Sequence, residues 1–375
     1  MTALRRLLLA ATLLALARAE TAGAQAWPKA PGTTVDIDRR EAMLPKSPTD
    51  FLVFNGALMG TLQWVANGDR APGAVYGAGS LDLNITVRPS ETVRLFLDVE
   101  GLVGPGPDQR LGTLSRLNTD AERLEGREKA IVVREAFLRL SWLDEHVRFS
   151  IGKLDVGHYF DRNFMAEDET TQFLDMALIN NPMLKPPPNG PGAAVRTSVG
   201  DWRFAFGVHA PGDVDDDLSG LPYVIGEIGR RNIFPQRGHY RLWARVSSVP
   251  EHRERVTWAT GVSIDQVVTH EVGVFFRAGL SRSQGEDLTS HAWSTGVQIA
   301  PTWLGRPHDR FGAGYSAQRE PAGRERVVET YYNLALAEWL FLIADVQWLI
   351  SGPNQLTGGT NRNVIVPGLR ALLLF

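Results

Sequence analysis

Nothing in this chain is arranged for covalent or metal chemistry. It has no cysteine, which removes thiol nucleophiles, thiolate metal sites and disulfides. Its eight histidines are scattered, with no H-E-x-x-H pair at ligand spacing. Neither a G-x-S-x-G elbow nor a P-loop is present, and its Ser, His and Asp residues are not ordered as a triad. Asp213, Asp215, Asp216 and Asp217 offer oxygen ligands for calcium, but not at EF-hand spacing. A solvated or lipopolysaccharide-bridging acidic loop is the better reading, and no metal or cofactor is expected. What remains are charges and rings at alternate positions of short segments. The charged and polar set is Arg94, Asp98, Glu135, Arg139, Arg203, Arg241, Arg245, Arg277, Asp345, Gln347 and Arg370, beside Phe96, Phe137, Trp243 and Phe275. Arg and acids on facing strands can pair and present a fixed field across an opening with little net charge.

Alternation at period 2 gives a strand one apolar and one polar face. Val93, Leu95, Leu97 and Val99 alternate with Arg94, Phe96, Asp98 and Glu100; Leu342, Ala344, Val346 and Trp348 alternate with Phe341, Ile343, Asp345 and Gln347. Strands are expected near 51–65, 79–88, 91–101, 130–143, 146–155, 192–200, 201–210, 220–229, 238–248, 253–265, 270–281, 290–302, 308–318, 326–337, 339–350 and 362–375. That count is even, and most segments reach the ~9–11 residues that cross an outer membrane at a tilt. Even-numbered links are mostly tight and odd-numbered links mostly long, the asymmetry of short periplasmic turns and long outer loops; the links at 230–237 and 249–252 break it. The expected fold is an all-β transmembrane antiparallel barrel of about sixteen strands with a long third outer loop. That loop, Val156 to Pro191, mixes aromatics with acids, and one this long is usually functional. Folded inward it would constrict a lumen through Tyr159, Asp161, Glu167 and Asp168. Trp64, Trp142, Trp202, Trp258, Trp339 and Trp348 fit a girdle at the lipid interface.

The chain ends agree. Residues 1–26 read as a signal peptide: Arg5-Arg6, an apolar run Leu7–Ala17 too short to span a bilayer, and cleavage after Ala19 or Ala26. Residues 27–50 read as a periplasmic leader and 51–375 as the barrel. The terminal Phe375, preceded by alternate apolar residues, resembles the closing strand that the barrel-assembly machinery recognises. The net charge of −3 implies no basic face and no nucleic-acid partner, although Arg supplies 34 of the 39 basic residues. Outer-membrane lipid and lipopolysaccharide are the expected surroundings, with a homotrimer as one candidate assembly.

Several segments together resemble the carbohydrate-selective porin (OprB) family. Asp309-Arg310-Phe311-Gly312-Ala313-Gly314-Tyr315 is similar to its DRFGLG-type strand, and Glu329-Thr330-Tyr331-Tyr332 to its E-x-Y-Y strand. Ala344-Asp345-Val346-Gln347-Trp348 is similar to its P-D-x-Q-Y/W strand, and Val364 through Arg370 to Phe375 to its closing strand. Leu140-Ser141-Trp142 and Ile151-Gly152-Lys153-Leu154-Asp155 resemble its paired strands ending in a G-K/R-x-D corner. The chain departs from the pattern at Ala344, and Pro367 inside the last strand puts the local ladder in doubt. The resemblance implies a sixteen-stranded pore for sugars and small solutes, driven only by their gradient. A sugar pore needs flat apolar surfaces for the CH faces of pyranose rings and polar groups that replace water without holding the solute; the residues above meet both needs. A polar wall that is merely solvated or paired competes as a reading for each of them. A pore for anions or other polar cargo stays open as an alternative, an outer-membrane barrel enzyme lacks a signalled nucleophile, and a soluble periplasmic β-protein fits the strand ladder poorly.

Overall fold

The computed structural model describes residues 51–67, 72–121, 131–210, 221–249 and 252–375. The signal and leader segments and the Asp213–Asp217 cluster lie outside them. Sixteen strands form a single closed antiparallel barrel in which each pairs with its sequence neighbours and β1 (Leu52–Trp64) closes on β16 (Gly359–Leu374). Between them run β2 (Val75–Val87), β3 (Val93–Val103), β4 (Ile131–Trp142), β5 (Val147–Leu154), β6 (Gly190–Val199), β7 (Trp202–His209), β8 (Tyr223–Arg231) and β9 (Gly238–Val249), then β10 (His252–Val267), β11 (Val272–Ser283), β12 (Ser290–Ile299), β13 (Arg310–Glu320), β14 (Gly323–Ala337) and β15 (Leu340–Asn354). All sixteen expected strands are present, including the two with weak patterning around 192–200 and 220–229. Closure leaves no sheet edge, the condition for a sheet to stand in lipid.

The alternation sorts each strand into two faces. Outside lie exposed apolar residues such as Leu62, Leu95, Phe204, Phe206, Leu242, Phe276, Val346 and Leu369, with Trp64, Trp142, Trp202, Trp258 and Trp348 among them. Inside lie Gln63, Asp98, Glu135, Arg245, Arg277, Glu329, Asp345 and Arg370, all buried. Burial on the polar face needs something packed against it, and two inward-folded segments supply it: residues 104–121 after β3 and 155–189 after β5. The apolar clusters therefore lie within the lumen, between those segments and the wall. Met165, Phe173, Leu178 and Ile179 pack on Met59, Phe275, Tyr331 and Ile343; Tyr159, Phe160, Met183 and Leu184 pack on Phe137, Tyr223 and Trp243; Leu111 and Leu117 pack on Tyr76, Val327 and Leu349.

Pro367 is accommodated. The β15 register runs through Val346↔Pro367, while the β1 register ends at Gln63↔Gly368, beside the residue that lacks an N–H. The connection after β8 has six residues, 232–237, and turns through Asn232 at positive φ (53°).

Candidate solute path along the inner wall

The 155–189 segment is built to hold itself and then to bond the wall. Asp155 caps a 3-10 turn, Val156–His158, by accepting from Gly157 N at 2.8 Å. Asp168 accepts from Thr170 N, Thr170 Oγ1 and Thr171 Oγ1, and Asn181 accepts from Met183 N. These short polar side chains satisfy loop backbone locally. Wall side chains take up the rest. Arg277 donates to the Leu178 carbonyl at 2.9 Å and the Asp161 carbonyl at 3.1 Å, and pairs with the Asp161 carboxylate at 3.0 Å. Trp243 Nε1 donates to Asp161 Oδ1 at 2.7 Å. Arg370 donates to the carbonyls of Glu169 and Gln172, both at 2.8 Å, and Arg245 to that of Met183. Glu329 accepts from Leu174 N and Asp175 N at 2.7 and 2.9 Å. Asp161 itself has positive φ (57°), uncommon outside glycine. Burial pushes its carboxyl up to about 6, against the opposing pull of Arg277 and Trp243. Burial, with Glu329 nearby, raises Asp175 well above the ordinary carboxylate range.

The 104–121 segment docks the same way. Leu114 N and Ser115 N donate to Glu325, Gln347 donates to the Leu117 carbonyl at 2.7 Å, Asn118 donates to Gln63, and Ser80 donates to Asp120. Inward glycines give the rings room. A Cβ on Gly312 would lie 2.1 Å from the Tyr331 ring, one on Gly261 2.4 Å from Trp243, and one on Gly314 3.1 Å from Phe173.

Trp243, Arg245, Arg277, Asp345, Gln347 and Arg370 thus face inward but lie beneath these segments, nearly or wholly shut from water. They hold the segments to the wall and do not front the lumen. Asp345 pairs with Arg370 at 3.3 Å, both fully buried. Tyr159 and Asp161 likewise point into the loop–wall seam, whereas Glu167 (paired with Arg162 at 2.8 Å) and Asp168 are half-buried. Arg241 pairs with Asp265 at 3.1 Å, and Arg203 stands exposed where β7 leaves its turn.

On the inner face of β2–β6, Asp82, Arg94, Phe96, Arg139, Arg148 and Arg196 are half-buried while Asp98, Glu100, Glu135 and Phe137 are buried, and register orders the charges into tiers. Asp82 faces Glu100 and Asp98 faces Glu135, two carboxylate–carboxylate pairs. One step toward the end with the tight turns, Phe96 faces Phe137 with ring centroids 5.0 Å apart, and Tyr159 meets Phe137 edge-on. The next two steps are basic: Arg94 faces Arg139, and one step beyond, past Ser141, Arg148 faces Arg196. Each tier spans about two residues, or ~6.7 Å of strand. The acidic tier has partners. Arg134 bridges Glu100 (3.0 Å) and Asp155 (3.2 Å), and Glu135 takes His158 Nδ1 (2.7 Å) and Asp155 N (3.0 Å).

Alternation put Arg94, Asp98, Glu135 and Arg139 on the inner face. Arg134, Arg148 and Arg196, and the docking of 104–121, escaped the sequence reading. Arg148 and Arg196 were readable from the same alternation, but the bulge opposite Asp98 that turns Arg134 inward carries no sequence signal.

Residues 212–375 match the family model described as carbohydrate-selective porin, OprB family. That stretch contains Gly312, Gly314, Glu329, Tyr331, Asp345, Gln347 and Arg370. An uncharacterized protein of Aquifex aeolicus (strain VF5) is 25% identical over 214 residues, 56% of this chain and 62% of that relative, so the chain spans less than two thirds of the relative's length. Among solved structures, Pseudomonas putida OprB at high pH superposes with a TM-score of 0.66 at 13% identity, covering 90% of this chain and 96% of that one. An anion-selective porin from Comamonas acidovorans superposes with 0.55 at 12% identity, covering 86% and 99%. These likenesses are of fold: a porin barrel.

Proposed function

We propose that this chain, whose residues 212–375 carry the sequence signature of the OprB porins, is an outer-membrane pore of a Gram-negative bacterium through which small hydrophilic solutes diffuse down their gradient. The observation that carries this reading is the inverted barrel: apolar outside, charged inside, closed, with two segments bonded into its lumen. Apolar side chains facing outward suit lipid, and a charged inner wall suits water-borne solutes. The inward segments narrow the lumen, which sets an upper size for the solute.

Carbohydrate preference rests on chemistry at that wall. Phe96 offers a flat apolar face, with half-buried Asp82 on one side to accept from hydroxyls and guanidiniums on the other to donate to them. No step needs a nucleophile, base or cofactor. The test is swelling of liposomes that carry the refolded full chain. Monosaccharide influx that exceeds that of a size-matched neutral solute and saturates with concentration supports a sugar-preferring pore. Equal influx for all solutes of one size reduces the reading to a general porin, and no influx from a folded barrel removes it.

A further inference from the structure

We propose that the basic tier is a carboxylate-binding subsite and that the preferred solute is a sugar-sized hydroxylated monocarboxylate, a sugar acid, in place of a neutral sugar. This rests on the pore reading above and narrows its substrate class.

The reason is an asymmetry between the tiers. Like charges directly opposite on neighbouring strands destabilise a sheet, and both tiers carry such pairs. The acidic tier holds its own counter-ion, Arg134, and an imidazole donor, His158. The basic tier is short of acids. Glu145, exposed in the turn before β5, serves both Arg94 (3.4 Å) and Arg148 (2.8 Å). Among the described residues, Arg139 and Arg196 have no carboxylate within ion-pair distance. Arg139 donates to Ser150 Oγ at 3.2 Å and lies over the Phe137 ring. Arg196 donates to the His158 carbonyl at 2.8 Å and to that of Tyr159, and lies over the Tyr159 ring. Glu227, on β8, is engaged by Asp161 N at 2.7 Å and Arg241 at 3.9 Å. Arg139 thus keeps a planar fork with no anion to take bidentately, and Arg196, whose Nε and Nη2 hold loop carbonyls, adds its positive charge and its remaining Nη1. The adjoining tier supplies the other half of the specificity. Phe96 presents a ring one strand step from Arg94, and Asp98 lies one step farther. A solute with its carboxylate on Arg139 and Arg196 would lay its CH face on Phe96. Because the field is local and the site opens to water, the anion is held weakly enough to leave.

The experiment uses the refolded full chain in liposomes and in planar bilayers. Influx of glucuronate is compared with that of glucose at equal gradients, and reversal potentials are read in a KCl gradient. We expect anion selectivity, glucuronate influx several-fold above glucose, and millimolar block of chloride current by glucuronate. In Arg139→Gln/Arg196→Gln the glucuronate-to-glucose ratio falls at least fivefold, and Arg139→Lys/Arg196→Lys restores part of it. Heat-modifiable mobility confirms that each variant is a closed barrel. If the Gln variant does not fold, the wild-type ratio together with the Lys pair decides: a Lys pair whose ratio equals wild type overturns the bidentate site. Glucose faster than glucuronate in the wild type, or an unchanged ratio in the folded Gln variant, overturns the proposal while leaving the pore. No influx of either solute overturns the pore reading itself.

Discussion

Asp161 and Arg277 show how a single pair decides the state of the lumen. The ion pair is fully buried, and Arg277 also satisfies loop carbonyls. Breaking a buried pair strands the remaining charge, at about 3–5 kcal/mol. Arg277→Ala should therefore loosen residues 155–189 around Asp161 without opening the barrel, while Arg370, Arg245 and Glu329 still hold the rest. Limited proteolysis should cut the loop, and single-channel conductance should rise. The Asp161 carboxyl gives this contact a pH dependence. Burial holds it up to about 6 when the loop is seated, against an ordinary value near 3.9 for a solvated aspartate. The seated state therefore binds more protons between those values, and seating strengthens as pH falls from about 6 toward 4. Above pH 6 the Asp161 contribution is complete, and Asp175, raised by burial in the same segment, carries the same dependence. Protection factors of the loop amides, their exchange rates corrected for the intrinsic rate at each pH, should be higher at pH 5 than at pH 7 in the wild type, and the difference should shrink in Asp161→Asn.

At the scale of elements, β13 and β14 carry a ring-in-groove fit. Gly312 lies directly opposite Tyr331, whose ring occupies the space a side chain would need, and Tyr331 is itself met edge-on by Phe173 of the inward loop. Gly312→Ala should tilt the Tyr331 ring and loosen the Phe173 seat, an overpacking loss of about 1–3 kcal/mol. A lower temperature for loss of the compact band on a semi-native gel would register it. Gly314, one step along the same face, plays the same part beneath Phe173. The two glycines of the Asp309–Tyr315 motif are seats for rings, and Glu329, Gln347 and Arg370 of the neighbouring motifs are anchors for loop backbone. The C-terminal residues that carry the family resemblance hold the constriction in place, while the tiered charges lie on the opposite, N-terminal wall with the β4–β5 part of that resemblance.

For the whole molecule, stability depends on the apolar belt meeting lipid and the polar wall meeting the two inward segments. Phe206 sits mid-strand on β7 with its ring exposed outward. Phe206→Arg should destabilise the barrel in bilayers by about 2–4 kcal/mol, read as a lower urea midpoint for unfolding from vesicles. Arg203, three residues away on the other face, is tolerated in the native chain because it meets the lumen.

Sequence alone determined the strands and their faces, because period-2 alternation is a local property that any segment of β7 or β15 displays by itself. It determined that Arg94, Asp98, Glu135 and Arg139 point inward with Arg245, Arg277 and Arg370, since parity along a strand fixes the face. It also marked 156–191 as the segment to watch, by length and aromatic content. Tertiary structure alone decided which inward residues front the lumen. Glu329 meets Leu174 across 155 positions and Gln347 meets Leu117 across 230, and no local pattern encodes contacts so distant. Register is also a property of pairs of strands. It brings Arg94 opposite Arg139 and Arg148 opposite Arg196, and so gathers four guanidiniums, scattered over a hundred residues of chain, onto two adjoining rows of one wall.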